Sequence, residues 1–269
     1  MQAHALTPLK RYASTSIYAH RGLAQTQAEN TDLAFADALK AGADWIETDV
    51  NTTSDGAVVV FHDPTLDRLS DSVGAIKDMT WEQVRAVELK DGGTVPLLEG
   101  TLRAFPQARF NIDLKDAGSA ERIIPVLLAT GAQERVRVAS FSERRLRQAH
   151  RAAQKAGISL SMSASQLAVS LFYLASRVAP GLWASLLPLI KHLFLPFDSL
   201  QIPLYYRLAG RNIRIADRAL VEAAHRAGLE VHVWIVDDQR TMRELIALGV
   251  DGIVTNHTDV LARILGRSE

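Results

Sequence analysis

The sequence contains no cysteine, and this absence excludes several kinds of chemistry. Disulfide bridges, thiolate metal sites and a cysteine nucleophile are all ruled out. There is also no excess of charge of either sign, because 30 Lys and Arg balance 30 Asp and Glu and the formal net charge is zero. Since a nucleic-acid-binding protein normally carries a basic surplus, we expect no nucleic-acid partner.

A long uninterrupted hydrophobic run is missing as well. Residues 1–16 contain no apolar stretch of signal-peptide length. The most apolar segment, 182–197, is shorter than the roughly 20 residues that a spanning helix needs. It is also interrupted by Pro188, Lys191 and Pro196. We therefore predict a cytoplasmic protein without a signal peptide or a transmembrane helix.

What the sequence does contain is enough apolar material for a large core, since 48% of its 269 residues are hydrophobic. Short β-rich runs alternate with helical segments, which is typical of parallel βαβ units. About eight such units, with no G-x-G-x-x-G after the first strand, favour a closed barrel over an open dinucleotide-binding sheet. An α/β barrel takes about 250 residues as one domain. We therefore predict a single (β/α)8 TIM barrel over 1–269.

The predicted elements follow from these local patterns. The strand candidates are 17–19, 45–50, 58–61, 110–114, 136–139, 160–162, 199–202, 231–236 and 252–254. The helix candidates are 31–40, 120–130, 143–156, 217–227 and 239–248. Two regions break the alternation. Segment 64–100 is interpreted as a small insertion after the third strand, with one short helix near 80–88, and segment 163–198 is an unusually long apolar crossover.

A pair of carboxylates lies within the second strand candidate. Glu47 and Asp49 are two residues apart, so both side chains project from one face of the strand. Two unpaired carboxylates on a buried strand repel each other and call for a cation. Oxygen ligands favour Mg²⁺ or Ca²⁺ over Zn²⁺. The pattern therefore predicts a site for one divalent metal ion, either Mg²⁺ or Ca²⁺.

His62 can join this pair by two routes. Asp55-Gly56 between two β-rich runs is a strong hairpin signal, and a two-residue turn there would place Asp49 directly opposite His62. A parallel arrangement through an irregular connection would also bring the ends of the two runs together at the barrel mouth. The sequence leaves the direction of strand 58–61 open.

Two further strand ends carry polar side chains where barrel active sites lie. His20 and Arg21 end the first strand. Histidine can move protons near neutrality, and arginine can bind a phosphate through two nitrogens. On a later strand, Asp113 and Lys115 share one face and offer a third carboxylate and a second cation. Each pair alone would also fit an ordinary core or surface position.

Two other candidates have structural alternatives. Asn30 or Thr31 would cap the first helix, a role compatible with ligand contact. Trp234 lies on an apolar strand and, by composition alone, fits the core.

Taken together, these segments resemble the glycerophosphodiester phosphodiesterase family. The matching motifs span nearly the whole chain in the expected order and are His20-Arg21-Gly22, Glu29-Asn30-Thr31, 42–50, Asp55-Gly56, 59–63, 95–99, Asp113-Leu114-Lys115, Ser140-Phe141, Val233-Trp234 and 249–255. Four positions depart from the family pattern. Asp113 stands where glutamate is frequent, Ala28 replaces a proline, and Ile235 and Asn256 differ from the more common threonine and aspartate.

The resemblance implies a barrel of the phospholipase-C-like phosphodiesterase type. It implies hydrolysis of glycerophosphodiesters to glycerol 3-phosphate and an alcohol, with the glycerol 2-hydroxyl as internal nucleophile. It further implies metal ligation by Glu47, Asp49 and Asp113 and acid–base catalysis by His20 and His62.

The resemblance also implies a set of substrate contacts. Arg21 and Lys115 would hold the phosphate, and Asn30 would lie by the metal or the glycerol hydroxyls. We assign Trp234 to the same substrate site. The expected partner is a small-molecule glycerophosphodiester.

Two alternatives remain for the activity. A lysophospholipase D-like or sphingomyelinase D-like enzyme would use a related site with an apolar channel beside it, whereas a catalytically silent barrel would lack a histidine or a metal carboxylate. The apolar segment 167–197 bears on the first alternative. It would be either a crossover helix folded over the barrel or buried in a dimer, or a lid that contacts a lysolipid or a membrane surface.

Overall fold

Strands and helices alternate along the chain in a computed structural model that describes residues 14–178, 196–208 and 210–267. The strands are β1 (Ser16–His20), β2 (Trp45–Thr52), β3 (Val58–Val60), β4 (Phe110–Leu114), β5 (Val136–Ala139), β6 (Ser161–Met162), β7 (Ser199–Pro203), β8 (Tyr205–Leu208), β9 (Arg211–Arg214), β10 (Glu230–Trp234) and β11 (Gly252–Thr255). The helices are α1 (Asp32–Lys40), α2 (Trp81–Arg85), α3 (Leu98–Ala104), α4 (Ala117–Thr130), α5 (Glu143–Lys155), α6 (Gln166–Val178), α7 (Arg218–Arg226), α8 (Gln239–Leu248) and α9 (Thr258–Ile264).

Parallel pairing joins the strands in the order β6-β5-β4-β2-β1-β11-β10-β7. A parallel bridge between Ser163 and Ser199 connects the two outer strands of this order. Eight parallel strands in the described part of the chain thus form a nearly closed barrel, which confirms the predicted TIM-barrel fold.

The helices cover the outside of the barrel because alternate strand side chains point outward and are apolar. Ile46 and Val50 of β2 are fully buried in one cluster with Phe35 of α1 and Ile123 of α4. Trp45 has the opposite orientation on β2 and points inward, where it packs with side chains of neighbouring strands. The same alternation turns Glu47 and Asp49 toward the interior.

An ionic cluster fills the barrel interior toward the N-terminal ends of the strands. Arg137 of β5 is 1% exposed and lies 2.7 Å from Glu230 and 3.2 Å from Asp198. Its guanidinium also donates to the hydroxyl of Tyr18 at 2.8 Å and lies over the ring of Trp45. Two carboxylates thus share one buried cation, which offsets part of their negative charge.

The direction of the third predicted strand is antiparallel. β3 pairs with the end of β2, so Val50 lies opposite Val60. β3 therefore lies outside the parallel order of the barrel, and the insertion follows it in the chain.

The predicted two-residue turn before β3 is wrong. The Thr53 hydroxyl accepts from the Ala57 amide at 2.9 Å, and the Thr53 amide donates to the Ala57 carbonyl at 3.0 Å, which closes a three-residue loop. The extra residue shifts the register by one. Phe61, not His62, consequently lies opposite Asp49, whose carbonyl accepts from the Phe61 amide at 2.9 Å.

The insertion has a small core of its own. Phe61 of the segment after β3 packs with Leu66, Ile76 and Val84 in a cluster distinct from those beneath the outer helices. The short helix predicted near 80–88 is present as α2, although it ends earlier, at Arg85.

Some elements were not predicted from sequence, namely α3, α9 and the β8–β9 hairpin. Helix α6 occupies the first part of the predicted apolar crossover, and residues 179–195 of that crossover lie outside the described residues. Among the described helices, none is long and apolar enough to cross a membrane.

Candidate active site

A cavity of about 450 Å³ opens at the C-terminal ends of the barrel strands. Eight of the nine side chains predicted to form the site line it, and they are His20, Arg21, Glu47, Asp49, His62, Asp113, Lys115 and Trp234. The ninth, Asn30, lies behind this surface. The parallel sheet explains the convergence, because residues that end different strands meet at one rim.

Three carboxylates and one lysine form the floor of the cavity. Asp49 of β2 and Asp113 of β4 are neighbours in the sheet register, and Glu47 lies two residues before Asp49 on the same face. The Lys115 ammonium lies 2.8 Å from Asp49 Oδ1 and 2.6 Å from Asp113 Oδ2. One cation thus serves two of the three carboxylates.

The floor is short of positive charge. Burial, reinforced by Asp49, raises the pKa of Glu47 well above its ordinary value. Burial also raises the pKa of Asp113 to about 6, even though Lys115 opposes the shift. Although burial acts the other way, Lys115 and Arg21 hold the pKa of Asp49 below its ordinary value. Of the three carboxyl groups, only Asp49 therefore has a pKa below its ordinary value.

The donor set has the chemistry of a site for a hard cation. Oδ1 of Asp113 is buried without a hydrogen-bond partner, and oxygen atoms of this kind are the ligands that Mg²⁺ and Ca²⁺ prefer. Across the ranges that the structure describes, no three His, Asp or Glu side chains lie close enough together to hold a metal ion. The Lys115 ammonium instead lies between Asp49 and Asp113. The three carboxylates offer the oxygen ligands that a divalent cation prefers, but two of them, those of Asp49 and Asp113, are paired with Lys115.

Both histidines of the cavity have one ring nitrogen held by a neighbour. Nδ1 of His20 lies 2.8 Å from Oδ1 of Asn256, and burial lowers the pKa of His20. Nδ1 of His62 lies 2.6 Å from a carboxylate oxygen of Asp63. In each ring, Nε2 is the nitrogen left for proton exchange with a ligand.

Arg21 and Asn30 share an unusual backbone conformation. Both have positive φ, 55° and 58°, which only a few per cent of non-glycine residues adopt. The Asn30 amide donates to the Arg21 carbonyl at 2.9 Å and so ties the two segments together. The Arg21 guanidinium donates to Glu29 at 2.8 Å, and its Nε lies 3.2 Å from Asp49 without the alignment of a hydrogen bond. The cation is thereby held over the floor of the cavity.

Asn30 supports a carboxylate from behind. Its side-chain amide donates to Asp49 at 3.1 Å and its oxygen accepts from Thr48 at 2.7 Å. Thr31, not Asn30, caps helix α1. Because Asn30 is 1% exposed, its predicted contact with metal or glycerol stays a prediction.

Several supporting residues were missed in the sequence. Asn51 donates to the backbone carbonyls of Phe61 at 2.8 Å and Asp63 at 3.2 Å, and so fixes the segment that carries His62. Its position two residues after Asp49 on the same strand face was an available signal. Arg68 pairs with both Asp63 and Glu29 across the rim, and no local pattern indicated this.

One wall of the cavity is apolar. It is built from the segment after β5, α6, the β8–β9 hairpin and the end of β10, and its apolar side chains include Phe141, Val169, Tyr173, Leu174, Tyr206, Ile213, Trp234 and Ile235. The rings of Phe141 and Trp234 meet edge to face, with centroids 5.7 Å apart. The cavity therefore has a charged floor and an apolar side.

Comparison of the sequence with known proteins identifies one family. The sequence model of the glycerophosphoryl diester phosphodiesterase family matches residues 20–260. A Mycobacterium tuberculosis (strain H37Rv) protein named probable glycerophosphodiester phosphodiesterase 2 is 34% identical over 261 residues, which cover 95% of this chain and 92% of the relative. A glycerophosphodiester phosphodiesterase of Caldanaerobacter subterraneus is 29% identical over 266 residues, 93% of this chain and 98% of the relative.

Solved structures show the same fold. The crystal structure of a glycerophosphodiester phosphodiesterase from Agrobacterium tumefaciens matches with a TM-score of 0.75 and 25% identity, covering 94% of this chain and 99% of that one. An Oleispira antarctica phosphodiesterase, in complex with the product sn-glycerol-3-phosphate, matches with a TM-score of 0.69 and 20% identity, covering 94% and 97%. The chain therefore belongs to the glycerophosphoryl diester phosphodiesterase family.

Proposed function

We propose that the protein hydrolyses glycerophosphodiesters to glycerol 3-phosphate and an alcohol. The observation that carries the proposal is the cavity itself, which collects two histidines, three carboxylates and two cationic side chains at one rim of the barrel. The family match over residues 20–260 and the name of the Mycobacterium tuberculosis relative support the same reaction.

Charge on the phosphate is the first task of the site. A phosphodiester carries one negative charge, and its transition state gathers more on the equatorial oxygens. Arg21 and Lys115 line the cavity and would bind this charge where it develops. Glu47, Asp49 and Asp113 would hold one divalent cation, Mg²⁺ or Ca²⁺, which would supply Lewis-acid stabilisation of the same oxygens.

Proton transfer is the second task. One imidazole must take the proton of the attacking hydroxyl, and the other must protonate the departing alkoxide. His20 suits the base, because burial lowers its pKa and its partner Asn256 is neutral. His62 suits the acid, because the carboxylate of Asp63 can stabilise a positive ring.

Replacement of either histidine should be costly. We expect His20→Ala and His62→Ala each to lower kcat by about 10²-fold or more. As the base, His20 must be neutral, so kcat/KM should fall as the pH drops through its pKa, which lies below the ordinary 6.5. His20→Ala should flatten this acid limb, and His62→Ala the alkaline one. His150→Ala on α5, outside the cavity, is the control, and a wild-type kcat in either cavity variant would exclude that residue.

The reaction itself is tested by release of glycerol 3-phosphate, measured with a coupled dehydrogenase. The substrates would be glycerophosphocholine, glycerophosphoethanolamine, glycerophosphoinositol and glycerophosphoglycerol, each with Mg²⁺, Ca²⁺ or chelator. We expect release from at least one headgroup and none from the His20→Ala/His62→Ala double variant. Absence of glycerol 3-phosphate with every headgroup and both metals would contradict the proposal.

The apolar wall favours a second substrate class for the same site. An acyl chain of a lysophospholipid would lie against Leu174, Tyr206 and Ile213, which would make the reaction lysophospholipase D-like. The surface of α6 next to this wall exposes Leu167 and Leu171, at 54% and 40%. Contact of this region with a lysolipid or membrane surface is therefore part of the proposal, whereas the cytoplasmic location and a dimer stay predictions.

The two classes separate through a matched pair of leucines on α6. Leu174→Ser alters the cavity wall, whereas Leu167→Ser alters only the outer surface of the same helix. We expect Leu174→Ser to lower kcat/KM for lysophosphatidylcholine about tenfold while sparing glycerophosphocholine, since loss of an apolar pocket contact is worth about 1–3 kcal/mol. Leu167→Ser should reduce only co-sedimentation with liposomes. Equal loss on both substrates for Leu174→Ser would argue against an acyl-chain site.

A further inference from the structure

The loops after β10 and β11 are joined by a carboxylate. Asp237 accepts from the backbone amide of Asn256 and from its side-chain amide, both at 2.8 Å. It also accepts from the Thr255 hydroxyl at 2.9 Å. Asn256 is exposed, so a single hydrogen bond would compete with water, whereas these contacts hold it in one orientation.

We propose that Asn256, anchored by Asp237, is a positioning residue that fixes the tautomer of the base His20. The inference rests on the proposed function and deepens it. A carboxylate only accepts hydrogen bonds, so the Asn256 side chain must turn its NH₂ group to Asp237 and its oxygen to His20. The opposite orientation would bring two acceptors together at Asp237.

The orientation of the amide determines where the imidazole proton resides. Oδ1 of Asn256 is also only an acceptor, and it lies 2.8 Å from Nδ1 of His20. Nδ1 must therefore carry the hydrogen in the neutral ring. The lone pair is left on Nε2, in a ring that lines the cavity. The base is set for proton abstraction before a substrate arrives.

The choice of an amide as the direct partner has its own effect. Asn256 lies between Asp237 and the His20 ring, so the carboxylate does not contact the ring directly. The amide of Asn256 thus orients the ring without placing a charge next to it. A carboxylate in direct contact would stabilise the imidazolium, so a smaller fraction of His20 would be in the neutral form that can accept a proton near neutrality. The charges of Arg21, Glu29 and Asp49 also act on the pKa of His20, and the hydrogen bonds of Asn256 to His20 and Asp237 involve none of these three residues.

The tautomer can be observed directly by ¹⁵N NMR of the full-length protein labelled at histidine nitrogen, with His20→Ala to assign the signal. Wild type should show the Nδ1–H form. Asn256→Leu removes the acceptor and should mix the tautomers and lower kcat about tenfold, with little change in KM. Asp238→Asn is the control, because Asp238 caps α8 in the same loop without touching Asn256.

An exchange variant guards against a simple folding defect. Asp237→Asn/Asn256→Asp can keep a hydrogen bond between the two side chains, with its direction reversed, but places the carboxylate on His20. It should retain the Nδ1–H form, recover most of kcat and move the acid limb of kcat/KM to higher pH. Wild-type tautomer and kcat in Asn256→Leu, or a mixed tautomer in the exchange variant, would overturn the proposal. Because the NMR signal needs no turnover, failure of the proposed reaction would be seen separately, in the wild-type assay.

Discussion

Removal of divalent cations should abolish turnover of glycerophosphodiesters, and Glu47→Ala or Asp113→Ala should each lower kcat/KM by about 10³-fold. The expectation follows from the floor of the cavity, where burial raises the pKa of both carboxyl groups and Lys115 compensates only part of their charge. Loss of several kcal/mol of charge stabilisation corresponds to about three powers of ten in rate.

The measurement combines activity with binding. EDTA-treated protein would be assayed before and after addition of Mg²⁺ or Ca²⁺, and calorimetric titration would report cation binding independently of turnover. Glu82→Ala, an exposed carboxylate on α2, is the matched control. Asp113→Glu should keep cation binding, because it only lengthens the ligand. Full activity in excess EDTA would remove the metal from the mechanism.

The second large effect concerns stability and lies in the ionic cluster inside the barrel. Arg137→Met should lower the free energy of unfolding by about 3–5 kcal/mol, because it leaves Asp198 and Glu230 buried without their cation. Urea denaturation followed by circular dichroism would measure the change. Arg151→Met, exposed on α5, should stay within about 0.5 kcal/mol of wild type.

The same cluster predicts an acid-sensitive window. Although burial opposes it, hydrogen bonds from His232 and Arg137 hold the pKa of Glu230 at about 2, below its ordinary value of 4.5. A lowered pKa stabilises the fold above the ordinary value, and this stabilisation is lost as the pH falls from about 4.5 toward 2. In Arg137→Met this contribution should shrink, because the folded-state pKa of Glu230 moves back toward 4.5, and the less stable variant should therefore unfold at a higher pH on acidification. An unchanged acid-unfolding midpoint would show that Arg137 does not support Glu230.

Local chemistry made much of the fold predictable. Thr31 and Asp217 cap the helices that they were expected to open, and the left-handed Gly131 and Gly249 end two others. The candidate site followed from strand alternation and from the rule that barrel strands end at one rim, which brings residues as distant as His20 and Asp113 together.

What failed depended on contacts that sequence spacing does not contain. The hairpin loop closed by Thr53 and Ala57 is one residue longer than the predicted turn, so Phe61 and not His62 lies opposite Asp49. The Lys115 ammonium lies between two carboxylates, a contact that the spacing did not indicate, and its contact with a phosphate stays a prediction. The sequence showed Asn256 only as a departure from the family pattern. Its contact with His20 could not be predicted from spacing, because the two residues are 236 positions apart.

The separate core of the insertion has a consequence for how activity and fold respond to heat. His62 follows Phe61, whose ring belongs to that small cluster, whereas His20 ends a central strand of the barrel. Cooperative units of a protein open with different free energies, and a peripheral unit opens before the central sheet. Partial opening of the insertion would withdraw one proton-transfer group while the barrel kept its structure. Inactivation would then precede global unfolding, and hydrogen exchange would show the amides around Phe61 losing protection before those of β1.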